Sequence, residues 1–324
     1  MALRVMASAR NVAMVLDQFK PRLEAAGVEI FFPESKAPTL TEDELLAHLP
    51  GCVAAIAMPD DYTARVIKAA SPSLKLIARS GVGYDSIDLD AAGEFNVWVT
   101  TTVGANHDAV ADYAMGLMLD LARHITEVVG RVRGGWWGRL PGVELRGKTL
   151  AIVGTGRIGR EVASRAAGFG MHLVAYDKFP NDEWARGAGV TYTTLDELLA
   201  QAHFITLHAP ATAETRHVLN DATLARCKPG VYVVNTARGD LIDEAALVRA
   251  LDSGQVGGAA LDVFEHEPPT DAQKPVMAHP KVLPLSHCAG ATAESQRRAA
   301  EIALEQVLEA VRGQTPRFVV PELA

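Results

Sequence analysis

Short apolar runs alternate with amphipathic stretches along most of the chain. In the first third, LRVMA, VEIFF, CVAAIAM, LKLIARS and VWVTT read as strands, with helical segments around residues 12–26 and from Thr41 between them. Near-continuous apolar runs fit strands covered on both faces, so the alternation predicts parallel α/β units. From Asn106, the residues Val110, Ala114, Leu117, Met118, Leu121, Ile125, Val128, Val129 and Val132 recur at three- and four-residue steps, which predicts one long helix with Asn106 as its N-cap. After the loop RGGWWGRLPG, a second α/β series opens at KTLAIVGTGRIGREVA and continues through LVAYD, HFITLHAP, VYVVNTARG, GGAALDVF and VLPLSHCAG. ATAESQRRAAEIALEQVLEAVRG reads as a closing amphipathic helix from near Thr292, too isolated to form a domain and obliged to pack on one already built.

Two series agree with the length, because 324 residues exceed what one hydrophobic core usually sustains. The expected domains are residues 1–101 completed by 290–324, and residues 102–289, with a cleft between them as the natural ligand site. The hydrophobic share of 48% and charged share of 22% are those of a folded globular protein and exclude general disorder. A formal charge of −8 argues against a broad nucleic-acid or anionic-membrane surface, so an acidic ligand must be met by local donors. No run is long enough to span a bilayer, and Arg4, Arg10 and Asp17 interrupt the start where a signal peptide needs an unbroken apolar segment. Cys52, Cys227 and Cys288 are too few and scattered for a disulfide framework or a metal site, and cytoplasmic localisation with reduced thiols is expected.

Within TLAIVGTGRIGREVASRAAGFGMHLVAYD, an apolar strand meets Gly154, Gly156 and Gly159, a helix follows, and Asp177 closes the next strand about twenty residues on. Gly154 permits a tight turn, Gly156 lets the backbone approach a pyrophosphate and Gly159 lets helix and sheet pack closely, so the phosphates meet the helix N-terminus beside Arg157 and Ile158. Asp177 suits the ribose hydroxyls of NAD, whereas a 2′-phosphate ~4 Å away would be repelled by ~4 kcal/mol per charge pair at an effective dielectric of ~20. NAD is therefore expected over NADP, although the neighbouring Lys178 softens that repulsion.

Three further segments each follow a strand: Val234 to Gly239, Leu261 to Pro268, and Ser286 to Thr292. Ligands of open α/β sheets sit beyond the carboxyl ends of the strands, where Arg238, Glu267 and His287 would supply an anion binder, an acid and a proton carrier. Cys288 beside His287 raises a thiol nucleophile, but nothing in the chain proposes an oxyanion partner. The histidines show no spacing suited to a closed metal site, so no metal is expected.

With ARSGVGYDSID, NHDAVADYAMGLML, GVELRGKTLAIVGTGRIGREVA, NTARGDLIDEAALVRAL, LDVFEHEP and HCAGAT in this order, the chain resembles the D-isomer-specific 2-hydroxyacid dehydrogenases over nearly its whole length. The resemblance implies a Rossmann-type NAD-binding domain, a flavodoxin-like substrate domain, a homodimer, and hydride transfer between NAD(H) and a small anionic D-2-hydroxy or 2-oxo acid. It implies that Arg238 binds the substrate carboxylate and polarises the keto oxygen, that His287 is the general acid/base, and that Glu267 holds and charges its imidazole. By the same resemblance Val82 and Gly83 meet the carboxylate, while Val82, Val110, His208, Ala209, Pro210, Thr236, Ala237, Arg238, Asp262, His287 and Gly290 lie near the cofactor. Ala109 and Asp112 depart from the serine and glutamate that many members carry there, and Arg133 and Arg139 are open as substrate contacts. The chain ends at Ala324, so the regulatory domain appended to some phosphoglycerate dehydrogenases is not expected. The contrasting expectation is an NAD-sensing binding protein on the same fold.

Overall fold

A computed structural model of the chain describes residues 2–35 and 39–324. Its elements begin with β1 (Leu3–Ala7), α1 (Leu16–Ala25), β2 (Val28–Phe31), α2 (Glu42–His48), β3 (Ala54–Ala57), α3 (Ala64–Ala70), β4 (Leu76–Arg79), α4 (Leu89–Glu94) and β5 (Trp98–Thr101). There follow α5 (His107–Arg123), α6 (Ile125–Arg133), β6 (Thr149–Val153), α7 (Arg157–Gly168), β7 (His172–Tyr176), α8 (Asp182–Ala188), β8 (Val190–Tyr192), α9 (Leu195–Gln201) and β9 (Phe204–Leu207). The last are α10 (Asp221–Leu224), β10 (Val231–Asn235), α11 (Glu244–Ser253), β11 (Val256–Leu261), α12 (Lys274–Met277), β12 (Val282–Pro284) and α13 (Ala293–Val311). Among the described residues, no helix is long and apolar enough to cross a membrane.

The chain divides into two compact units, Met1–Asn106 with Ala291–Ala324, and His107–Gly290. The first boundary falls after the expected residue 101 because the segment beyond β5 is tied back into unit 1. Thr102 N–H donates to the Gly81 carbonyl at 2.9 Å, and Arg298 Nε–H donates to the Ala105 carbonyl at 2.9 Å.

Unit 1 is a parallel five-stranded sheet in the order β2-β1-β3-β4-β5, the doubly wound flavodoxin-like arrangement. Alternate residues of its buried strands serve opposite faces: Met6, Ala55 and Ile77 pack with Leu45, Tyr62 and Ile67, whereas Val5, Ile56 and Leu76 pack with Ala303, Leu304 and Val307 of α13. The closing helix thus completes the second face of unit 1. Thr292 caps it by accepting the Ser295 N–H at 3.1 Å. Its buried Gln306 donates to the carbonyls of Thr101 and Arg317, at 2.9 and 3.0 Å, and accepts from Thr100 Oγ1 at 2.9 Å.

Unit 2 is a parallel seven-stranded sheet in the order β12-β11-β10-β9-β6-β7-β8, which is the Rossmann order with one strand added at the β12 edge. Leu150, Ile152, Phe204 and Val234 face α5 and α7, while Ala151, Val153, Ile205 and Val233 pack with Leu198, Leu199, Leu247 and Leu251 on the other side.

The single helix expected from Asn106 to Val132 is two helices, and this is a correction to the periodicity reading. His124 adopts φ +56°, ψ +37°, and α6 starts anew behind it, with Asp120 accepting the Thr126 N–H at 2.8 Å. Val110, Ala114, Leu117, Met118 and Leu121 of α5 are buried, but α6 buries none of its residues.

Candidate active site

All strands of unit 2 run the same way, so the residues following β6, β9, β10, β11 and β12 gather along one edge of the sheet. The chain reverses its winding between β6 and β9, where such sheets open a crevice.

At that point Gly154 takes φ +92°, and a Cβ there would stand 2.7 Å from the Ala209 nitrogen, so the turn after β6 lies directly against the end of β9. A Cβ on Gly159 would stand 2.1 Å from the Gly154 carbonyl oxygen, which shows how closely α7 seats on the turn. Gly156 differs: it is exposed, and an added Cβ would meet nothing within 4 Å. An open backbone at the N-terminus of a twelve-residue helix is an anion cradle. Arg157 stands exposed in the first position of α7, followed by half-buried Ile158.

Asp177, just past β7, fastens this turn. Its Oδ2 accepts from the Thr155 N–H at 2.6 Å and from Thr155 Oγ1 at 3.0 Å, and its Oδ1 accepts the Phe179 N–H at 2.8 Å. Three of about four acceptor positions are thereby engaged. Lys178 pairs with Glu214 at 2.6 Å, so its charge already has a partner.

Two buried polar atoms at the neighbouring strand ends, His208 Nδ1 and Thr236 Oγ1, have no hydrogen-bond partner within the protein. His208 Nε2 lies 2.8 Å from Thr206 Oγ1, and burial pushes this imidazole down to about 3, so it is neutral. Neutral polar atoms beside an open glycine turn suit the polar parts of a bound dinucleotide. Ala209 and Pro210 follow His208, Ala237 follows Thr236, and Val110 is buried in the first turn of α5.

Arg238 follows β10 on a turn held by buried Asn235, whose Nδ2 donates to the Arg238 carbonyl at 2.8 Å and whose Oδ1 accepts the Ala237 N–H at 3.0 Å. The half-buried guanidinium donates through Nη1 to the Ala237 carbonyl at 2.7 Å.

His287 Nδ1 and Glu267 Oε2 are 2.6 Å apart, and Glu267 Oε1 accepts the Phe264 N–H at 3.1 Å. Asp262, buried at the end of β11, holds the histidine segment through three consecutive amides. Its carbonyl accepts from His287 at 2.7 Å, and its carboxylate oxygens accept from Cys288 at 2.9 Å and Ala289 at 2.8 Å. Gly290 ends the unit. The hydrogen bond and charge of Glu267 raise the His287 pKa above the ordinary histidine value against the opposing effects of burial and Arg238. Burial disfavours the Glu267 carboxylate, but the hydrogen bond and charge of His287, together with the Phe264 amide and the charge of Arg238, outweigh it and hold this group below the usual range. Both shifts favour a protonated imidazole beside an ionised carboxylate. The His287 side chain is 53% exposed, so its Nε2 face is within reach of a small molecule.

Val82 and Gly83 belong to unit 1, in a partly exposed turn after β4, and Arg133 and Arg139 are exposed. The Cys288 thiol is 3.0 Å from the Tyr113 hydroxyl and donates to Asp262 Oδ1 at 3.5 Å. One cluster bears on the expectation of no metal: among the described residues, His107, Asp108 and Glu161 bring ligand atoms within 4.8 Å of one another. The Arg165 guanidinium already supplies the cation there, bonding Asp108, Asp112 and Glu161 at 3.1, 2.5 and 2.7 Å.

Asn235, Gly239 and Glu244 lie within the segments named from the sequence but were given no role of their own there. A Cβ on Gly239 would stand 1.9 Å from the Phe264 carbonyl carbon, so the turn bearing Arg238 rests on the segment leading to Glu267. The glycine immediately after Arg238 and the acid pair Asp243-Glu244 at a helix start were the available signals.

A family model described as D-isomer specific 2-hydroxyacid dehydrogenase, NAD binding domain, matches residues 115–289. The chain is 42% identical over 284 residues to D-3-phosphoglycerate dehydrogenase of Rattus norvegicus, covering 87% of this chain but 53% of that enzyme, so it spans about half the length of that relative. It is also 42% identical over 274 residues to hydroxypyruvate reductase of Thermotoga maritima, covering 83% of this chain and 88% of the other. D-lactate dehydrogenase from Aquifex aeolicus, solved with NAD and lactic acid, superposes with a TM-score of 0.81 at 30% identity over 96% of each chain.

Proposed function

The chain belongs to the D-isomer specific 2-hydroxyacid dehydrogenase family and carries its NAD-binding domain, and from this premise we propose that it interconverts a small D-2-hydroxy acid and its 2-oxo acid with NAD(H). The observation that carries the reading is the 2.6 Å His287–Glu267 bond on the same sheet edge as Arg238 and the glycine turn. Bound NAD(H) supplies or accepts the hydride. Gly154, Gly156, Arg157, Ile158 and Gly159 would hold its pyrophosphate and Asp177 its ribose, with Val110, His208, Ala209, Pro210, Thr236, Ala237, Arg238, Asp262, His287 and Gly290 around the remainder.

In the direction of reduction, Arg238 presents a planar, always charged fork of donors to the carboxylate and keto oxygen. His287 delivers a proton from Nε2 to that oxygen, and the ionised Glu267 keeps Nδ1 protonated and the ring in place. In oxidation, neutral His287 takes the hydroxyl proton.

The exposed apolar side of α6 supports a homodimer: Ile125, Val129 and Val132 are 49%, 42% and 42% exposed, and nearby Trp137 is 92% exposed. A second copy of the chain covering this face is the proposed partner. Three free cysteines, two of them buried, are consistent with a reducing cytoplasm, which cell fractionation would test.

The activity is tested by NADH consumption against glyoxylate, hydroxypyruvate, phosphohydroxypyruvate, pyruvate and longer 2-oxo acids, with NADPH in parallel. Turnover that falls far more than NADH affinity in H287A is the expected result. NADH binding without turnover of any acid in the panel would instead favour the sensor reading.

A further inference from the structure

We propose that Glu244 is a positioning residue of this site: its carboxylate holds the chain on either side of Glu267, at the Glu265 amide and the Gln273 side chain, and so sets how Glu267 meets His287. The dehydrogenase reading is needed only for the kinetic part of the test below.

Glu244 is the first residue of α11, directly after Asp243, whose side chain caps the helix by accepting the Ala246 N–H. It is 8% exposed, which is unusual for an acid. Its two oxygens are committed to two different parts of the segment after β11. Oε1 accepts the Glu265 N–H at 2.9 Å, and Oε2 accepts from Gln273 Nε2 at 3.1 Å. Gln273, 2% exposed, is itself fixed, its Oε1 accepting from Thr270 N–H at 3.1 Å and Thr270 Oγ1 at 2.8 Å. One carboxylate therefore brackets the loop that carries Glu267.

The bracketed peptide is the one on which the other parts rest. The Phe264 N–H, one residue before the amide that Glu244 holds, donates to Glu267 itself. Gly239, next to Arg238, packs on the same Phe264–Glu265 peptide closely enough to exclude a Cβ. Loosening this peptide would disturb the approach of Glu267 to His287 and the support of the Arg238 turn together.

The acid suits the task chemically. An ionised carboxylate only accepts, which matches two converging N–H donors, and the helix N-terminus favours its charge. Burial raises the Glu244 pKa, while the two hydrogen bonds and His266 oppose that effect and Glu265 adds to it. Glu265 is turned to His217, whose Nε2 shares a hydrogen bond with its Oε1. A glutamine would keep one acceptor and set an N–H against one of the donors.

The test is NMR titration of the His287 ring in the wild type, E244A, E244Q and, as reference, E267Q, with NADH affinity and thermal melts confirming that each is folded. In E244A the His287 midpoint falls towards the ordinary histidine value of ~6.5, as it does in E267Q, while NADH affinity stays near that of the wild type. E244Q shifts the midpoint the same way by a smaller amount and remains informative if E244A does not fold. In the kinetic arm, kcat/KM for a 2-oxo acid falls at least about tenfold in E244A, part of the ~10²–10⁴-fold that a general acid contributes, and E244Q recovers part of the loss. A wild-type His287 midpoint in either folded variant overturns the proposal. Failure of the wild type to turn over any 2-oxo acid would count against the dehydrogenase reading and leave the titration to decide the role of Glu244.

Discussion

Alanine at Gly156 separates what a dinucleotide requires from what the fold requires. Gly156 has φ −65° and ψ −164°, which any residue adopts, and an added Cβ meets nothing within 4 Å. Two small effects on the free protein oppose each other: restricting the unfolded chain stabilises by ~0.4–1 kcal/mol, and alanine as an N-cap residue costs about 1 kcal/mol. The melting temperature should therefore move by no more than about 4 °C, at ~2–4 °C per kcal/mol for a unit of this size. The new methyl would instead occupy the surface where a pyrophosphate approaches the start of α7, where such contacts contribute up to ~2 kcal/mol. NADH affinity should fall about tenfold or more, since ~1.4 kcal/mol is a factor of ten. Gly159→Ala makes the contrast: its Cβ would stand 2.1 Å from the Gly154 carbonyl oxygen. Such overpacking costs ~1–3 kcal/mol, so this variant melts lower even without nucleotide. Fluorescence titration with NADH and melts of the free protein measure both variants. Wild-type affinity in G156A would refute the placement of the pyrophosphate, and equal destabilisation of both variants would refute the packing argument.

Three other outcomes follow from the same geometry. Because Glu267 raises the His287 pKa, reduction is supported while the imidazole is protonated and is lost as pH rises through that raised value. Removing that charge in E267Q should move the descending limb of kcat/KM to lower pH, by an amount limited by solvent screening because the side chains are 53% and 34% exposed. An unmoved limb would mean that Glu267 does not charge the imidazole. The V129D/V132D double variant should convert a dimer into a folded monomer by light scattering, and a wild-type mass of 34.6 kDa would remove the case for α6 as the dimer face. Asp177→Ala should raise the NADPH to NADH ratio of kcat/KM by about tenfold, a fraction of the ~4 kcal/mol unscreened repulsion at an effective dielectric of ~20; an unchanged ratio would place the 2′ position elsewhere.

The amino-acid sequence by itself determined the two parallel α/β series, the glycine turn with its acid, and the strand ends on which Arg238, Glu267 and His287 stand. These are short-range properties: a buried parallel strand must be apolar on both faces, and a tight turn against a helix must dispense with a Cβ. The same periodicity ran through His124 without a break, because three- and four-residue spacing is indifferent to one left-handed residue. Whether the apolar side of α6 is buried depends on what lies opposite it, which no helical pattern contains.

Only the tertiary structure decided how the polar groups are held. Glu267 reaches His287, twenty residues on, because β11 and β12 are neighbours in the sheet. Asp262 clamps the histidine segment for the same reason. Glu244 lies in the helix before β11, and its sequence context is that of an ordinary acidic first turn, yet it grips the loop after that strand. Such contacts arise when strand pairing sets separate loops side by side and buried donors must find acceptors, so their partners are fixed by the assembled sheet and not by spacing along the chain.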